Sequence, residues 1–222
     1  MTGIFLFFKV KWFLWKEGRE VRLRYPSFLV YERAFKKAYR FVNPYRLCKE
    51  FAHKKKEALS DVYGETPLPV LAEIARQCGL KADDTLLELG CGRGRGAFFL
   101  SHLTGCRTIG IDWLPFFIDT ANAIAESTMP RLPVQFRCQD MQNADFSKAT
   151  AIFLYGTCLS DEAMFKLIER FKHSPSTVRI ITISYPLADY SPSFRTSEQF
   201  SALFPWGEGE IYIQRMEEIN DG

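Results

Sequence analysis

No two cysteines of this sequence stand at the two-residue spacing of a zinc or thiol-redox pair. Cys48, Cys78, Cys91, Cys106, Cys138 and Cys158 are scattered singly, which points to reduced thiols rather than a disulfide or metal framework. Histidine is scarce as well: His53, His102 and His173 are isolated from one another, so no role is assigned to them and no metal site is indicated. A long apolar run is missing. The opening stretch Ile4-Phe5-Leu6-Phe7-Phe8 is cut off by Lys9 and Lys11, far short of the roughly 20 residues of a spanning helix, and no small-residue cleavage site follows it. Neither a membrane span nor a signal peptide is expected, and a cytoplasmic location is. There is no internal repeat and no low-complexity tract, which excludes repeat architectures.

What is present is an uneven distribution of charge. The net charge is only +3 over 222 residues, but residues 1–60 carry 15 Lys and Arg against 5 Asp and Glu, while residues 61–222 carry 14 against 21. The same 60 residues hold 14 of the 33 aromatic side chains. Two parts follow: a basic, aromatic-rich helical extension over 1–60, and one catalytic-sized domain over 61–222.

Periodicity supplies the elements. Phe28, Tyr31, Phe35, Tyr39 and Val42 recur at helical spacing between Pro26-Ser27 and Asn43-Pro44, and a second helical pattern runs from Tyr45 to Leu59. A helix over Val70–Gln77 closes at Gly79. Beyond it β and α signals alternate: strands at Thr85–Leu89, Thr108–Ile111, Val134–Phe136, Ala151–Tyr155 and Val178–Ile183, and helices over Gly96–Leu103, Phe117–Ala125 and Asp161–Phe171. Glu210–Gln214 reads as a terminal antiparallel strand. The fold class is therefore α/β, a Rossmann-like, mostly parallel sheet with a terminal antiparallel strand, helices on both faces and an N-terminal helical extension.

Chemistry concentrates at Glu88-Leu89-Gly90-Cys91-Gly92-Arg93-Gly94, between a strand and a helix. Glycines there let the backbone approach a ligand, and the following helix offers free N–H groups. The loop alone is ambiguous, because Gly92-x-Gly94-x-x-Ala97 also satisfies the dinucleotide fingerprint loosely. Three acids at successive strand ends favour S-adenosylmethionine. Glu88 is placed to order the loop and attract a cationic methionyl end. Asp112, with Trp113 beside it, is placed to accept ribose hydroxyls, and Asp140-Met141 to meet adenine with an acceptor and an apolar side chain. Asp140 taken alone reads equally well as a cap or turn residue.

The E-x-G-x-G-x-G loop, Asp112 and Asp140 are similar to class I methyltransferase motifs over residues 60–215. More narrowly, Val62-Tyr63-Gly64-Glu65-Thr66 resembles the V-Y-G-E-T segment of the non-SET histone lysine methyltransferases, and more loosely the Y-x-P-T-P segment of relatives that methylate ATP-synthase c-subunit lysines. The resemblance implies a segment folded over the cofactor, with Tyr63, Glu65 and Thr66 at the site beside Gly90, Cys91, Gly92 and Gly94. Ile152-Phe153-Leu154-Tyr155-Gly156 is similar to the family's fourth strand, whose end faces the transferred methyl. The histone enzymes carry Asn there; this chain has Tyr155-Gly156-Thr157. Tyr63, Tyr155 and Thr157 are accordingly the candidate lining for the acceptor.

The reading is a methyltransferase acting on a protein, with lysine as acceptor. Its rivals are a methyltransferase for RNA or a small metabolite, and a non-catalytic cofactor-binding module. Absence of the Asn/Asp-Pro-Pro-aromatic tetrapeptide common in amino methyltransferases of bases weakens the base-modifying version. In residues 1–25, aromatics interleave with Lys9, Lys11, Lys16, Arg19, Arg22 and Arg24. That pattern suits peripheral contact with an anionic membrane, nucleic acid being the alternative. The run Lys54-Lys55-Lys56 reads as a solvated helix face or an anion site.

Overall fold

The computed structural model describes residues 2–55, 63–156 and 159–217. Thr157, one of the three candidate acceptor-lining residues, lies outside them, as do Val62 and Lys56. Three helices come first: α1 (Thr2–Arg24), α2 (Leu29–Ala38) and α3 (Pro44–Lys55). The domain then runs α4 (Leu68–Cys78), β1 (Thr85–Leu89), α5 (Arg95–Thr104), β2 (Arg107–Asp112), α6 (Pro115–Ser127), β3 (Val134–Cys138), β4 (Ala151–Leu154), α7 (Asp161–Phe171), β5 (Arg179–Ile183), β6 (Phe194–Phe204) and β7 (Gly207–Met216).

The seven strands form one sheet in the order β3-β2-β1-β4-β5-β7-β6. Five are parallel, and β7 enters antiparallel to β5, pairing Ile183 with Ile211 and Ile180 with Gln214. The expected terminal strand is therefore present, but it is half of a hairpin: β6 pairs antiparallel along β7, from Phe194↔Met216 to Phe204↔Gly207. Sequence reading missed β6. Its stretch from Arg195 to Gln199 is polar and exposed, so an apolar alternation appears only at Phe200, Ala202 and Phe204.

Successive strand residues serve opposite faces. Leu86 and Phe153 join a core built with α4, α5 and α6, whereas Leu87, Ile152 and Leu154 join a second core under α7. The N-terminal helices extend the first core. Phe28, Tyr31 and Phe35 are buried against Phe98 and Phe99 of α5, ring to ring at 5.1–5.7 Å. Burying three aromatics contributes several kcal/mol at roughly 1.5–3 kcal/mol each. His102, unassigned by sequence, also sits in this seam, against the rings of Phe28 and Tyr31 and bonded to Ser27 Oγ at 3.0 Å.

Because β1 to β5 run one way, their C-terminal ends share one sheet edge, where open α/β sheets hold ligands. The β6–β7 turn reaches the same edge, since β7 begins there. α3 arrives from the other side: Tyr45 packs edge-on to Tyr63 and Phe51 edge-on to Trp113, at 5.2 and 5.4 Å.

Candidate cofactor and acceptor site

β1 ends by delivering Glu88 to this edge, and the loop after it is tied to β2. The N–H groups of Gly90 and Cys91 both donate to the Ile111 carbonyl, at 2.8 and 3.0 Å. Asp112 accepts the Gly92 N–H on one oxygen and the Leu114 N–H on the other, each at 2.9 Å. Burial pushes its pKa up to about 6 against the pull of those N–H groups. Much of the carboxylate's acceptor capacity thus shapes the loop, which sequence reading did not anticipate. Gly92 sits at φ +54°, and a Cβ there would come within 2.9 Å of the Tyr63 ring. Only glycine lets Tyr63 lie directly on the loop.

Tyr63, Gly64, Glu65, Thr66, Glu88, Gly90, Cys91, Gly92 and Tyr155 meet around one narrow cleft. Leu71, Leu89, Arg95, Gly96 and Phe153 complete its lining; none of these five was singled out in the sequence. The other candidates lie off this lining. Gly94 is at φ +79°, and a Cβ on it would meet the Phe136 ring at 2.4 Å, so its smallness serves packing beneath the loop. Asp140 caps a short 3-10 turn by accepting the Gln142 N–H at 2.8 Å, and the Met141 terminal methyl rests against Gly90. Trp113 lies against α3.

The electrostatics of the cleft are uneven. Glu88 is buried against Gly96, and among the described residues one of its carboxyl oxygens has no partner. Burial pushes its pKa up to about 8, with Glu65 and Asp112 adding like charge nearby. An unpaired buried carboxyl in a cleft is poised for a cationic ligand, which would supply both the missing partner and the compensating charge. That is the requirement S-adenosylmethionine meets, with its ammonium and sulfonium groups, and the residues present fit it. The Cys91 thiol is pushed far above its ordinary value by burial, so it packs rather than reacts.

Glu65 behaves oppositely. Arg93 grips it with two bonds of 2.6 and 2.7 Å, and the Tyr63 hydroxyl donates to it at 2.6 Å. Burial would raise its pKa, but the Arg93 fork outweighs burial and lowers it. Tyr63 in turn is raised well above 10 by burial and by the Glu65 carboxylate. It remains a neutral donor to Glu65, and only its oxygen's acceptor capacity is left for an incoming group. Arg95 continues the network into the N-terminal helices, reaching Glu17 of α1 at 3.1 Å and Glu32 of α2 at 2.7 Å.

Tyr155 follows β4, packs over Gly64, and accepts the indole N–H of Trp206 at 3.0 Å. The Phe204 ring lies near-parallel to both, at 6.2 Å from Tyr155 and 5.0 Å from Trp206. Trp206, in the β6–β7 turn and half exposed, is a site candidate that sequence reading lacked.

Residues 86–174 match the family model described as a methyltransferase domain. A histone-lysine N-methyltransferase, H3 lysine-79 specific, of Dictyostelium discoideum is 25% identical over 161 residues, 66% of this chain and 8% of that protein. A sterol 24-C-methyltransferase of Kluyveromyces lactis is 30% identical over 82 residues, 37% of this chain and 22% of that one. This chain thus spans less than a quarter of either curated relative's length. Among solved structures, an RNA methyltransferase from Salinibacter ruber in complex with S-adenosyl-L-homocysteine aligns at TM-score 0.57 and 22% identity, covering 72% of this chain and 98% of that one. Magnesium protoporphyrin IX methyltransferase from Synechocystis PCC 6803 with bound S-adenosylmethionine aligns at TM-score 0.57 and 11% identity, covering 79% and 98%. Sheet order and the structural likenesses agree on the fold of class I methyltransferases, and the cleft chemistry fits S-adenosylmethionine.

Proposed function

We propose that this protein transfers the methyl group of S-adenosylmethionine to a lysine side chain of a protein substrate. The observation that carries the acceptor class is the Tyr63–Thr66 segment, which resembles that of the non-SET lysine enzymes and lies directly on the glycine loop beside Tyr155. The likeness to a histone-lysine N-methyltransferase over 161 residues supports it. The tyrosine at 155 argues for a protein acceptor other than histone.

When bound, the cofactor supplies a methyl already activated on a sulfonium. The chain's own residues then have to align an acceptor and keep water out. Glu88, Gly90, Gly92, Glu65 and Thr66 hold the aminoacyl end; Asp112, Trp113, Asp140 and Met141 are proposed for the nucleoside. A lysine must arrive neutral, because an ammonium has no lone pair. The oxygens of Tyr63 and Tyr155, with Thr157, are proposed to accept its N–H groups, while the Tyr155, Phe204 and Trp206 rings wall its alkyl stem.

Incubation with methyl-labelled cofactor and lysate treated with either protease or ribonuclease tests this. Label in ribonuclease-resistant, protease-sensitive material is expected. Label lost only with ribonuclease would move the acceptor to RNA, and label in small molecules would favour a metabolite, as the sterol methyltransferase likeness suggests. Cofactor binding without any transfer would leave a binding module.

Residues 1–25 we propose as a peripheral contact for anionic membrane. No helix among the described residues is long and apolar enough to cross one, yet α1 exposes Phe8, Trp12, Leu14, Trp15 and Leu23 among its basic residues. Lys16 lies over Trp12 and Arg19 over Trp15. Sedimentation with anionic liposomes should fall when residues 1–25 are deleted; unchanged sedimentation would remove this contact.

A further inference from the structure

Arg95 is the first residue of α5 and one of the residues that line the cleft. Its side chain is only 15% exposed, and its carboxylate partners Glu17 and Glu32 come from helices that lie outside the cleft lining. Glu17 is 7% exposed, a depth at which a carboxylate needs compensation. It has two partners: the Arg95 guanidinium and, at 3.1 Å, the Leu68 N–H that opens α4.

The segment that closes the cleft, Tyr63–Thr66, has no regular secondary structure to hold it. Arg93 holds it in the middle through Glu65, Arg95 approaches the same carboxylate at 3.9 Å, and Glu17 fixes its far end through Leu68. Arg95 is thus shared between the N-terminal helices and the cleft segment. The three glutamates outnumber the two arginines, so each guanidinium is needed where it stands.

We infer that Glu17 of α1 and Glu32 of α2 are positioning residues of the cofactor site, holding Arg95 and through it the Glu65 segment around the aminoacyl end of S-adenosylmethionine. The N-terminal helices are then part of the binding machinery rather than a cover over it. Without Glu32, Arg95 is free to turn toward Glu65 and compete with Arg93 for it. The segment then loses its fixed seat on Gly92. The nucleoside end, shaped by Asp112 and its backbone N–H partners, does not depend on this node.

This inference rests on the cofactor assignment, and two ligands separate the two. S-adenosylhomocysteine contains the aminoacyl end; 5′-methylthioadenosine lacks it. Calorimetry on the full chain should show Glu17→Gln and Glu32→Gln each weakening S-adenosylhomocysteine about tenfold while moving 5′-methylthioadenosine less than about twofold, with Glu32→Asp restoring most of the loss. Equal weakening of both ligands, or of neither, would overturn the positioning role. Hydrogen exchange on the wild-type chain decides independently of whether a variant folds. Coupling is reciprocal, so S-adenosylhomocysteine should slow exchange in residues 14–38, which do not line the cleft. Unchanged exchange there would overturn the inference while leaving the cofactor reading intact, and a wild-type chain that binds neither ligand would take both down.

Discussion

Ionising a carboxyl that is buried with one oxygen unpaired is costly, and Glu88 responds by holding its proton to about pH 8 instead of 4.5. Its folded value lies above the unfolded one. The stability it lends is therefore complete below about pH 4.5 and is lost as pH rises through about 8. Asp112, raised from 3.8 to about 6, adds the same trend at lower pH. The melting temperature of the ligand-free protein should fall between pH 5 and 8, and Glu88→Gln should flatten the upper part of that fall. A cationic ligand favours the ionised form, so affinity for S-adenosylmethionine should rise with pH and level off near 8. Calorimetry at pH 7 in buffers of different ionisation enthalpy should show up to one proton released per site, absent in Glu88→Gln. Gly94 sets a second test. Adding a methyl there forces a strained backbone and a collision with Phe136, so Gly94→Ala should destabilise by about 1–3 kcal/mol in denaturant unfolding, and by less in a Phe136→Ala background.

Legibility in the sequence differs from element to element, and the difference has a physical cause. β1 (Thr85–Leu89) and α7 (Asp161–Phe171) are read with the bounds they have in the structure. β1 is buried on both faces, and α7 carries one apolar stripe with an acidic first turn and the Ser160 cap. β6 is an edge strand with few buried residues and gives no such pattern. α1 gives none either, because its large apolar side chains are not the ones it buries: Val21 is buried while Trp12 and Trp15 are exposed. The same distinction governs the site. Glu88, Gly90 and Gly92 announce themselves by spacing along one loop, whereas Arg93 and Arg95 find their carboxylates 28 to 78 residues away. Trp206 reaches Tyr155 across 51. Contacts of that kind exist only once the sheet has formed. The β6–β7 hairpin carries its own expectation: Trp206→Ala should lower turnover several-fold through the acceptor KM while leaving the Kd of S-adenosylhomocysteine unchanged. If Tyr155→Phe and Tyr63→Phe both keep wild-type turnover, the proposed acceptor lining is wrong.

At the scale of the whole molecule, one sheet edge gathers the residues of the candidate site. β1 and β2 bring the glycine loop and its acids, β4 brings Tyr155, the β6–β7 turn brings Trp206, and the extension adds α3 against Trp113 and Arg95's two glutamates beside the cleft. Charge is arranged with the same economy: the acidic domain forms the cleft, and the basic excess is carried mostly on the outside of α1 to α3. A cleft built around the buried Glu88 should select a cationic sulfur nucleoside over the dinucleotide that a loose G-x-G-x-x-A fingerprint would also admit. Calorimetric titration of the full chain with S-adenosylmethionine, S-adenosylhomocysteine and NAD tests it most directly. Saturable binding of the first two with no heat from NAD is predicted; tight binding of NAD alone would contradict it.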